Sequence, residues 1–203
     1  FTLVPPDQAQ NIIGCKWVFI VKYNPDGSLK QHKARLVAKD FQQQPGIDFT
    51  ETFSPVIKPL TIRLIFTLAI NDKWPLRQLD VNNAFLQGSL HDTVYMIQPP
   101  GFINPASPNH VCKLHKPIYG LKQAPRAWFT ELRSYLISYG FKNSISDSSL
   151  FISHRTKFLL YFLFYFSYLN LANISLTYFY ELNLTFLNLI ELNSLFCMFV
   201  LID

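Results

Sequence analysis

Near the start of the chain, two segments rich in apolar and β-branched residues flank a short turn. Residues 15–23 read Cys-Lys-Trp-Val-Phe-Ile-Val-Lys-Tyr, and residues 28–41 form the second segment. Between them, Asn-Pro-Asp-Gly is a strong turn signal, because proline presets φ and glycine accepts a positive φ. The pattern therefore predicts a β-hairpin. In its second strand Lys33, Arg35 and Lys39 are separated by even steps, which places them on one face.

The remainder of residues 1–152 alternates between helical and extended patterns. Apolar residues recur with helical spacing in residues 61–71, and a second amphipathic helix begins near Pro125 and ends at Gly140. Strands are predicted at 74–81, 94–97, 111–114 and 147–152, and residues 1–11 are predicted to be a connector in which two prolines oppose a helix. This order predicts an α+β fold. The residues expected to be buried include Trp17, Phe19, Leu64, Phe66, Leu79, Trp128 and Leu132.

Residues 78–88 read Gln-Leu-Asp-Val-Asn-Asn-Ala-Phe-Leu-Gln-Gly, and Asp80 ends an apolar approach. A carboxylate at the end of a strand, where the chain turns, is accessible to water or a cation. An aspartate in such a stretch is more often a turn residue or a helix cap. The stretch alone does not decide between a site and a cap.

Charge and turn residues divide the chain into two unlike parts. All 18 lysines and arginines lie at or before Lys157, against ten acidic residues there, so residues 1–157 carry a net charge of +8. All 13 prolines precede Arg126, and no glycine follows Gly140. A basic surface of this size suits a polyanion such as nucleic acid. The alternative for the hairpin cations is a solvated strand edge protected by lysines.

Residues 153–203 form a hydrophobic low-complexity tail of Leu, Phe, Tyr, Asn, Ile and Ser. Three interpretations stay open: a membrane-spanning segment, a packed helical pair, or sequence that did not evolve as protein. Repeated asparagines and the lack of flanking basic clusters count against the first, so no membrane partner is favoured. The third is favoured, because an AT-rich non-coding or shifted frame encodes this composition.

The three cysteines lie far apart and the five histidines are scattered, so the spacing indicates neither a disulfide framework nor a zinc site. Reduced thiols and the lack of a signal-peptide pattern predict an intracellular protein, cytoplasmic or nuclear and not secreted.

Five stretches occur in a fixed order: 33–39 (Lys-Ala-Arg-Leu-Val-Ala-Lys), 51–56 (Glu-Thr-Phe-Ser-Pro-Val), 78–88, 94–102 (Val-Tyr-Met-Ile-Gln-Pro-Pro-Gly-Phe) and 119–129 (Tyr-Gly-Leu-Lys-Gln-Ala-Pro-Arg-Ala-Trp-Phe). Together they resemble the reverse transcriptase domain of copia-type retrotransposon polyproteins. The resemblance covers residues 1 to about 152 and implies a piece of a larger polyprotein. It implies the fingers and partial palm of a right-hand polymerase over residues 12–152, followed by an unrelated hydrophobic tail.

The resemblance also implies roles for single residues. Asp80 is the expected catalytic carboxylate and, with the Val81 carbonyl, a ligand of Mg²⁺, the expected cofactor. The expected substrates are deoxynucleotides and an RNA or DNA template–primer. Nucleotide-binding roles fall on Lys33, Arg35, Phe85, Tyr119, Gly120 and Lys122, and nucleic-acid-binding roles on Lys39, Gln123 and Arg126. For Phe85, plain core packing is the alternative, and for residues 119–125 it is an ordinary loop before a helix.

The resemblance fails where a Tyr-x-Asp-Asp hairpin is expected to supply the remaining metal ligands. Residues 165–168 read Tyr-Phe-Ser-Tyr, and no aspartate occurs between Asp147 and Asp203. The sequence therefore predicts a truncated RNA-directed DNA polymerase (a nucleotidyltransferase) that is inactive on its own. The alternatives are a non-catalytic remnant that binds nucleic acid through its basic hairpin and, more weakly, a membrane-anchored protein.

Overall fold

The computed structural model describes residues 1–73, 76–79, 81–155, 158–166 and 196–202, with only the backbone path for 76–79 and for residues after Ser153. The helices are α1 (Pro59–Asn71), α2 (Ala84–Gln87) and α3 (Ala124–Ser138). The strands are β1 (Thr2–Val4), β2 (Ile12–Ile13), β3 (Cys15–Tyr23), β4 (Leu29–Ala38), β5 (Leu76–Leu79), β6 (Tyr95–Met96), β7 (Val111–Lys113), β8 (Lys142–Asn143), β9 (Leu150–Arg155), β10 (Phe158–Phe166) and β11 (Phe196–Ile202).

The chain forms two compact units, of which the first comprises Phe1–Ser54 and Asn83–Glu131. Its four-stranded sheet has the order β1-β7-β6-β2, antiparallel except for the parallel pair β2 and β6. Apolar residues in or next to this sheet and the start of α3 are buried, because together they remove a continuous apolar surface from water. They include Ile13, Val94, Met96, Cys112, Leu121 and Trp128.

The predicted hairpin is confirmed as the antiparallel pair of β3 and β4. At its turn Gly27 has a φ of +82°, and the Asn24 N–H donates to the Ser28 carbonyl oxygen at 2.8 Å. The second strand ends at Ala38, earlier than predicted, since residues 40–42 form a 3₁₀ turn.

The second unit comprises Pro55–Asn82 and Leu132–Asp203. Its five-stranded sheet has the order β5-β11-β10-β9-β8, and every pairing is antiparallel. The apolar faces of α1 and of the second half of α3 bury Ile65, Ala69, Leu132 and Leu136. Among the residues that the structure describes, no helix is both long and apolar enough to cross a bilayer.

The structure confirms the predicted helices and a mixed helix–strand fold, but differs from the sequence predictions in local detail. The segment predicted as a connector contains β1, which pairs with β7, and Pro6 begins a 3₁₀ turn because proline fits the first position of such a turn. Strands β10 and β11 lie in the hydrophobic tail, so the parts of the tail that the structure describes are extended and not the helical pair that was one of its interpretations. Helix α2 and strand β8 are likewise unpredicted, because two to four residues give too little periodicity to detect.

Burial is predicted correctly on α3 and incorrectly on the hairpin and α1. Trp128 and Leu132 are buried, but Phe19 is 75% exposed and Leu64 is 55% exposed. Trp17 and Phe66 are half-buried, and the side chain of Leu79 lies outside the described part of the chain. Phe19 is exposed because β3 and β4 form a separate sheet of only two strands. The apolar residues in the middle of these strands are therefore not part of a larger sheet.

Candidate nucleotide and nucleic-acid interface

One face of the hairpin carries more positive charge than the second strand alone predicts. In the β3–β4 register Lys33 is opposite Ile20, Arg35 is opposite Val18, and Lys16 and Lys22 occupy equivalent positions on β3. Directly opposed residues point to the same face of a sheet, so these four cations share one face. Lys16 and Lys22 are not among the predicted site residues, because the register of the two strands decides which β3 residues share a face with Lys33 and Arg35.

Tyr119 contacts two of the other predicted site residues, Arg35 and Phe85, at the base of the hairpin. The Arg35 guanidinium carbon lies 5.2 Å from the centroid of the Tyr119 ring, a cation–π distance. The Tyr119 ring in turn meets Phe85 edge-on, with centroids 4.9 Å apart. We call Arg35, Phe85, Tyr119 and Gly120 the hairpin-base cluster. It joins residues from three separate sequence stretches.

Close backbone contact with β4 holds Tyr119 in place. The Ala38 N–H donates to the Tyr119 carbonyl oxygen at 2.8 Å, and Val37 and Tyr119 form a parallel bridge. Gly120 has a φ of +88°, and a Cβ there would overlap the Ala38 carbonyl oxygen and lie 2.8 Å from Val37 Cγ1. Glycine is therefore required by both the backbone conformation and the available space.

The guanidinium of Arg35 is incompletely satisfied. Its Nε–H is buried and has no hydrogen-bond acceptor among the described residues. A buried donor without an acceptor costs roughly 1–3 kcal/mol, more for a charged group. An anion that reached this group would recover that cost.

Phe85 lies on α2, which begins directly after Asn83, a residue with a φ of +52°. Only 3% of its surface is exposed, and its ring contacts Tyr119. The contact is compatible with core packing and with a ring placed beside a bound nucleotide.

The remaining predicted contacts lie around the start of α3, where residues 43–51 run alongside. The Lys122 Nζ is 5.1 Å from the centroid of the Phe49 ring, and the Lys122 N–H donates to Gln43 Oε1 at 2.9 Å. Arg126 Nη1 lies 2.5 Å from Glu51 Oε2 in an exposed ion pair.

Gln123, predicted to contact nucleic acid, is only 2% exposed. Its amide donates to the Asp48 carbonyl oxygen at 2.8 Å and accepts from the Gln43 amide at 3.0 Å. In this structure its side chain therefore holds the 43–51 loop against α3. A buried amide needs such partners, and the local sequence does not identify them.

Lys39 follows the end of β4, and its N–H donates to the Gly14 carbonyl oxygen at 2.9 Å. Its aliphatic stem packs over Gly14, where an added Cβ would lie 3.0 Å from Lys39 Cδ. Burial raises the pKa of the neighbouring Cys15 thiol, against the opposing effect of the Lys39 charge.

Of the predicted metal ligands, Asp80 lies outside the described residues, and Val81 is half-buried. Within the described ranges, no three or more histidine, cysteine, aspartate or glutamate side chains are grouped to hold a metal ion.

Asp147, in the second unit, is buried and performs a structural task. Its carboxylate accepts from the Lys58 N–H at 3.1 Å, the Thr61 hydroxyl at 2.7 Å, and the N–H and hydroxyl of Ser149 at 3.0 and 2.6 Å. Burial acts to raise the pKa of this carboxyl, but the hydrogen bonds from Ser149, Thr61 and Lys58 outweigh burial and lower it. Asp147 thus anchors the start of α1 to the turn before β9.

Comparison of the sequence with known proteins identifies its family. A family profile described as reverse transcriptase (RNA-dependent DNA polymerase) matches residues 1–186, which extends past residue 152. No solved structure matches the chain.

Curated relatives are much longer than this chain. The chain is 60% identical over 164 residues to the retrovirus-related Pol polyprotein from transposon RE1 of Arabidopsis thaliana, covering 80% of the chain and 11% of that protein. It is 58% identical to the RE2 polyprotein of the same plant, covering 79% of the chain and 11% of the relative. Identity to the TNT 1-94 polyprotein of Nicotiana tabacum is 44%, covering 74% of the chain and again 11% of the relative. The profile match over most of its length shows that the chain belongs to the reverse transcriptase family.

Proposed function

We propose that the chain supplies the fingers and part of the palm of a right-hand RNA-directed DNA polymerase from a copia-type Pol polyprotein. Its partners are then an RNA or DNA template–primer and deoxynucleotides. The names of the RE1, RE2 and TNT 1-94 relatives support the polyprotein origin. Within the chain we propose a connector at residues 1–11, the reverse transcriptase part at residues 12–152 and a separate tail at residues 153–203.

The hairpin-base cluster is the observation that carries the proposal. A cation with an unused buried donor, an aromatic ring and a second ring come together from three distant stretches. Guanidinium groups bind phosphate through paired N–H donors, and aromatic rings offer flat faces to a sugar or base. The neighbouring Lys33 side chain, on the same face as Arg35, adds a second cation.

The residues of the cluster divide the work of holding a nucleotide. Arg35 and Lys33 neutralise its phosphates and also contact phosphates of the template, and Gly120 lets the backbone approach closely because it has no side chain. Phe85 lies beside the sugar, where the ring leaves no room for a 2′-hydroxyl. Lys39, Lys122 and Arg126 contact the template–primer backbone, whose phosphates give affinity without sequence information.

Reverse transcriptases use divalent metal ions, and we propose Mg²⁺ for the parent enzyme, with Asp80 and the Val81 carbonyl as ligands. Among the described residues, which do not include Asp80, no three histidine, cysteine, aspartate or glutamate side chains are grouped to hold a metal ion. The sequence has no Asp-Asp pair downstream of Asp147.

From this donor set we propose that the chain does not polymerise alone. Two metals held by several carboxylates supply several kcal/mol of transition-state stabilisation, and each ~1.4 kcal/mol is about tenfold in rate. For residues 153–203 we propose sequence that did not evolve with this domain. The reach of the family profile to residue 186 is the observation that weighs against this part of the proposal.

A second candidate function is a nucleic-acid-binding remnant without catalysis. The observation that favours it is the group of four cations on one hairpin face. Strand β3 also carries the exposed aromatic residues Phe19 and Tyr23, of which Phe19 lies on the opposite face. Positive charge and exposed aromatic rings are the two features by which proteins bind single strands. The buried free thiols Cys15 and Cys112 suit a reducing compartment, so we place either function in the cytoplasm or nucleus.

Binding of the full chain to a labelled template–primer, measured by fluorescence anisotropy across a salt series, tests the proposal. Replacing Lys33 and Arg35 by alanine removes up to two phosphate contacts, so the slope of log affinity against log salt should flatten by up to ~1.8. Lys116→Ala combined with Lys142→Ala removes the same charge elsewhere and should change the slope far less. Equal slopes for the two double variants would refute the proposed surface.

A further inference from the structure

The segment formed by Phe49, Thr50 and Glu51, which we call the 49–51 segment, covers the cations at the start of α3. The Phe49 ring lies 5.1 Å from the Lys122 Nζ, and Glu51 pairs with Arg126 at 2.5 Å. The segment is tied down by Gln123, whose amide donates to the carbonyl oxygen of Asp48 at 2.8 Å. Both predicted phosphate-binding cations are thus already in contact with groups of the chain itself.

The two groups that contact these cations resemble the parts of a nucleotide. An aromatic ring faces one cation as a base would, and a carboxylate faces the next cation as a phosphate would. Both are weak enough to be exchanged. In the Glu51–Arg126 pair the side chains are 55% and 40% exposed, and ion pairs of that exposure contribute little.

We propose that the 49–51 segment is a built-in competitor that masks Lys122 and Arg126 from a nucleic-acid backbone. A bound strand displaces the Glu51 carboxylate with one of its phosphates. Glu51 therefore lowers the affinity of the chain for nucleic acid and reduces weak, non-productive binding. This inference rests on the proposed nucleic-acid-binding function and adds a regulatory contact to it.

The size of the effect follows from the exposure of the pair. An exposed ion pair holds its partners together by no more than about fivefold in an equilibrium constant. Removing the competing carboxylate should therefore raise affinity by about two- to fivefold. Because one more cation becomes available to release counterions, the slope of log affinity against log salt for a single strand should steepen by up to ~0.7.

The test measures anisotropy of a fluorescent oligouridylate with the full chain across a salt series. Glu51→Gln should bind tighter than wild type with a steeper slope. Glu131→Gln is the matched control, since it makes the same charge change on α3 where the carboxylate accepts from the Ser89 hydroxyl at 2.6 Å instead of pairing with a cation. It should gain clearly less affinity than Glu51→Gln.

The Arg126→Gln background completes the test. There, Glu51→Gln should give no more gain than Glu131→Gln, because the masked cation is gone. Equal gains from the two glutamate variants in the wild-type background, or a Glu51→Gln gain that survives without Arg126, would overturn the competitor alone. Wild-type binding that does not depend on salt, or no binding by any variant, would overturn the proposed function itself.

Discussion

The carboxylate of Asp147 offers a quantitative test of how the second unit is held together. It is buried and accepts four hydrogen bonds, which connect Lys58 and Thr61 at the start of α1 to Ser149. Replacing Asp147 by alanine leaves the Ser149 N–H and hydroxyl without their acceptor in a fully buried position.

The magnitude follows from these contacts. Hydrogen bonds to a charged group contribute about 1.5–3 kcal/mol each, but bonds that share one acceptor are not additive. Thr61 and Lys58 lie at least partly exposed and regain water, so the loss is dominated by the two Ser149 donors. We expect Asp147→Ala to lower the free energy of unfolding by about 3 kcal/mol, and Asp147→Asn by less, since an amide oxygen still accepts.

Urea unfolding of the full chain, followed by circular dichroism, measures this loss. The control is Asp72→Ala, which removes an exposed carboxylate after α1 and should cost under about 0.5 kcal/mol. Because the folded-state pKa of Asp147 is lowered, its contribution is complete above the unfolded pKa of about 3.9 and declines as pH falls through the folded value. The difference in the free energy of unfolding between wild type and Asp147→Asn should therefore shrink as the pH falls below about 3.9. A loss equal to that of Asp72→Ala, or one that grows on acidification, would refute the assigned role.

Two further predictions concern the first unit. Gly120→Ala should destabilise it by more than about 2 kcal/mol through backbone strain and overlap with Ala38. Gly101 has a φ of +83° and open space around an added Cβ, so Gly101→Ala should cost only the backbone strain of about 1 kcal/mol. Urea unfolding midpoints compare the two variants, and equal losses of stability would contradict the close approach of Gly120 to Ala38. Burial raises the pKa of the Cys15 and Cys112 thiols, so iodoacetamide should alkylate both much more slowly than a free thiol until urea unfolds the unit. Mass spectrometry measures the labelling, and rapid labelling of the folded chain would contradict their burial.

Local signals predict the elements of this fold better than they predict their contacts. The hairpin follows from alternating apolar residues and an Asn-Pro-Asp-Gly turn, and α3 follows from its helical stripe and Gly140. The pairing of β1 with β7 joins residues about a hundred positions apart, and no local pattern marks it. The exposure of Phe19 could not be predicted either, since an apolar residue in a strand is expected to be buried when its surroundings are unknown.

The candidate site divides in the same way. Motif resemblance identified Arg35, Phe85 and Tyr119, but their contact depends on how β4 meets residues 119 and 120. The resemblance predicts a nucleic-acid contact for Gln123, and the burial of its amide between Gln43 and Asp48 could not be predicted, because an exposed and a buried amide look alike in sequence. The role of Asp147 is likewise set by residues of α1 that lie far away in the chain.

Primer extension by the full chain tests the central claim most directly. A labelled template–primer is supplied with deoxynucleotides and Mg²⁺ or Mn²⁺, at protein concentrations where anisotropy reports the complex as formed. We predict bound template–primer without extension, and no difference between wild type and Asp80→Asn, because one carboxylate does not hold two metals. Extension by wild type that Asp80→Asn abolishes would contradict the account, and would mean that residues beyond 153 complete a working active site.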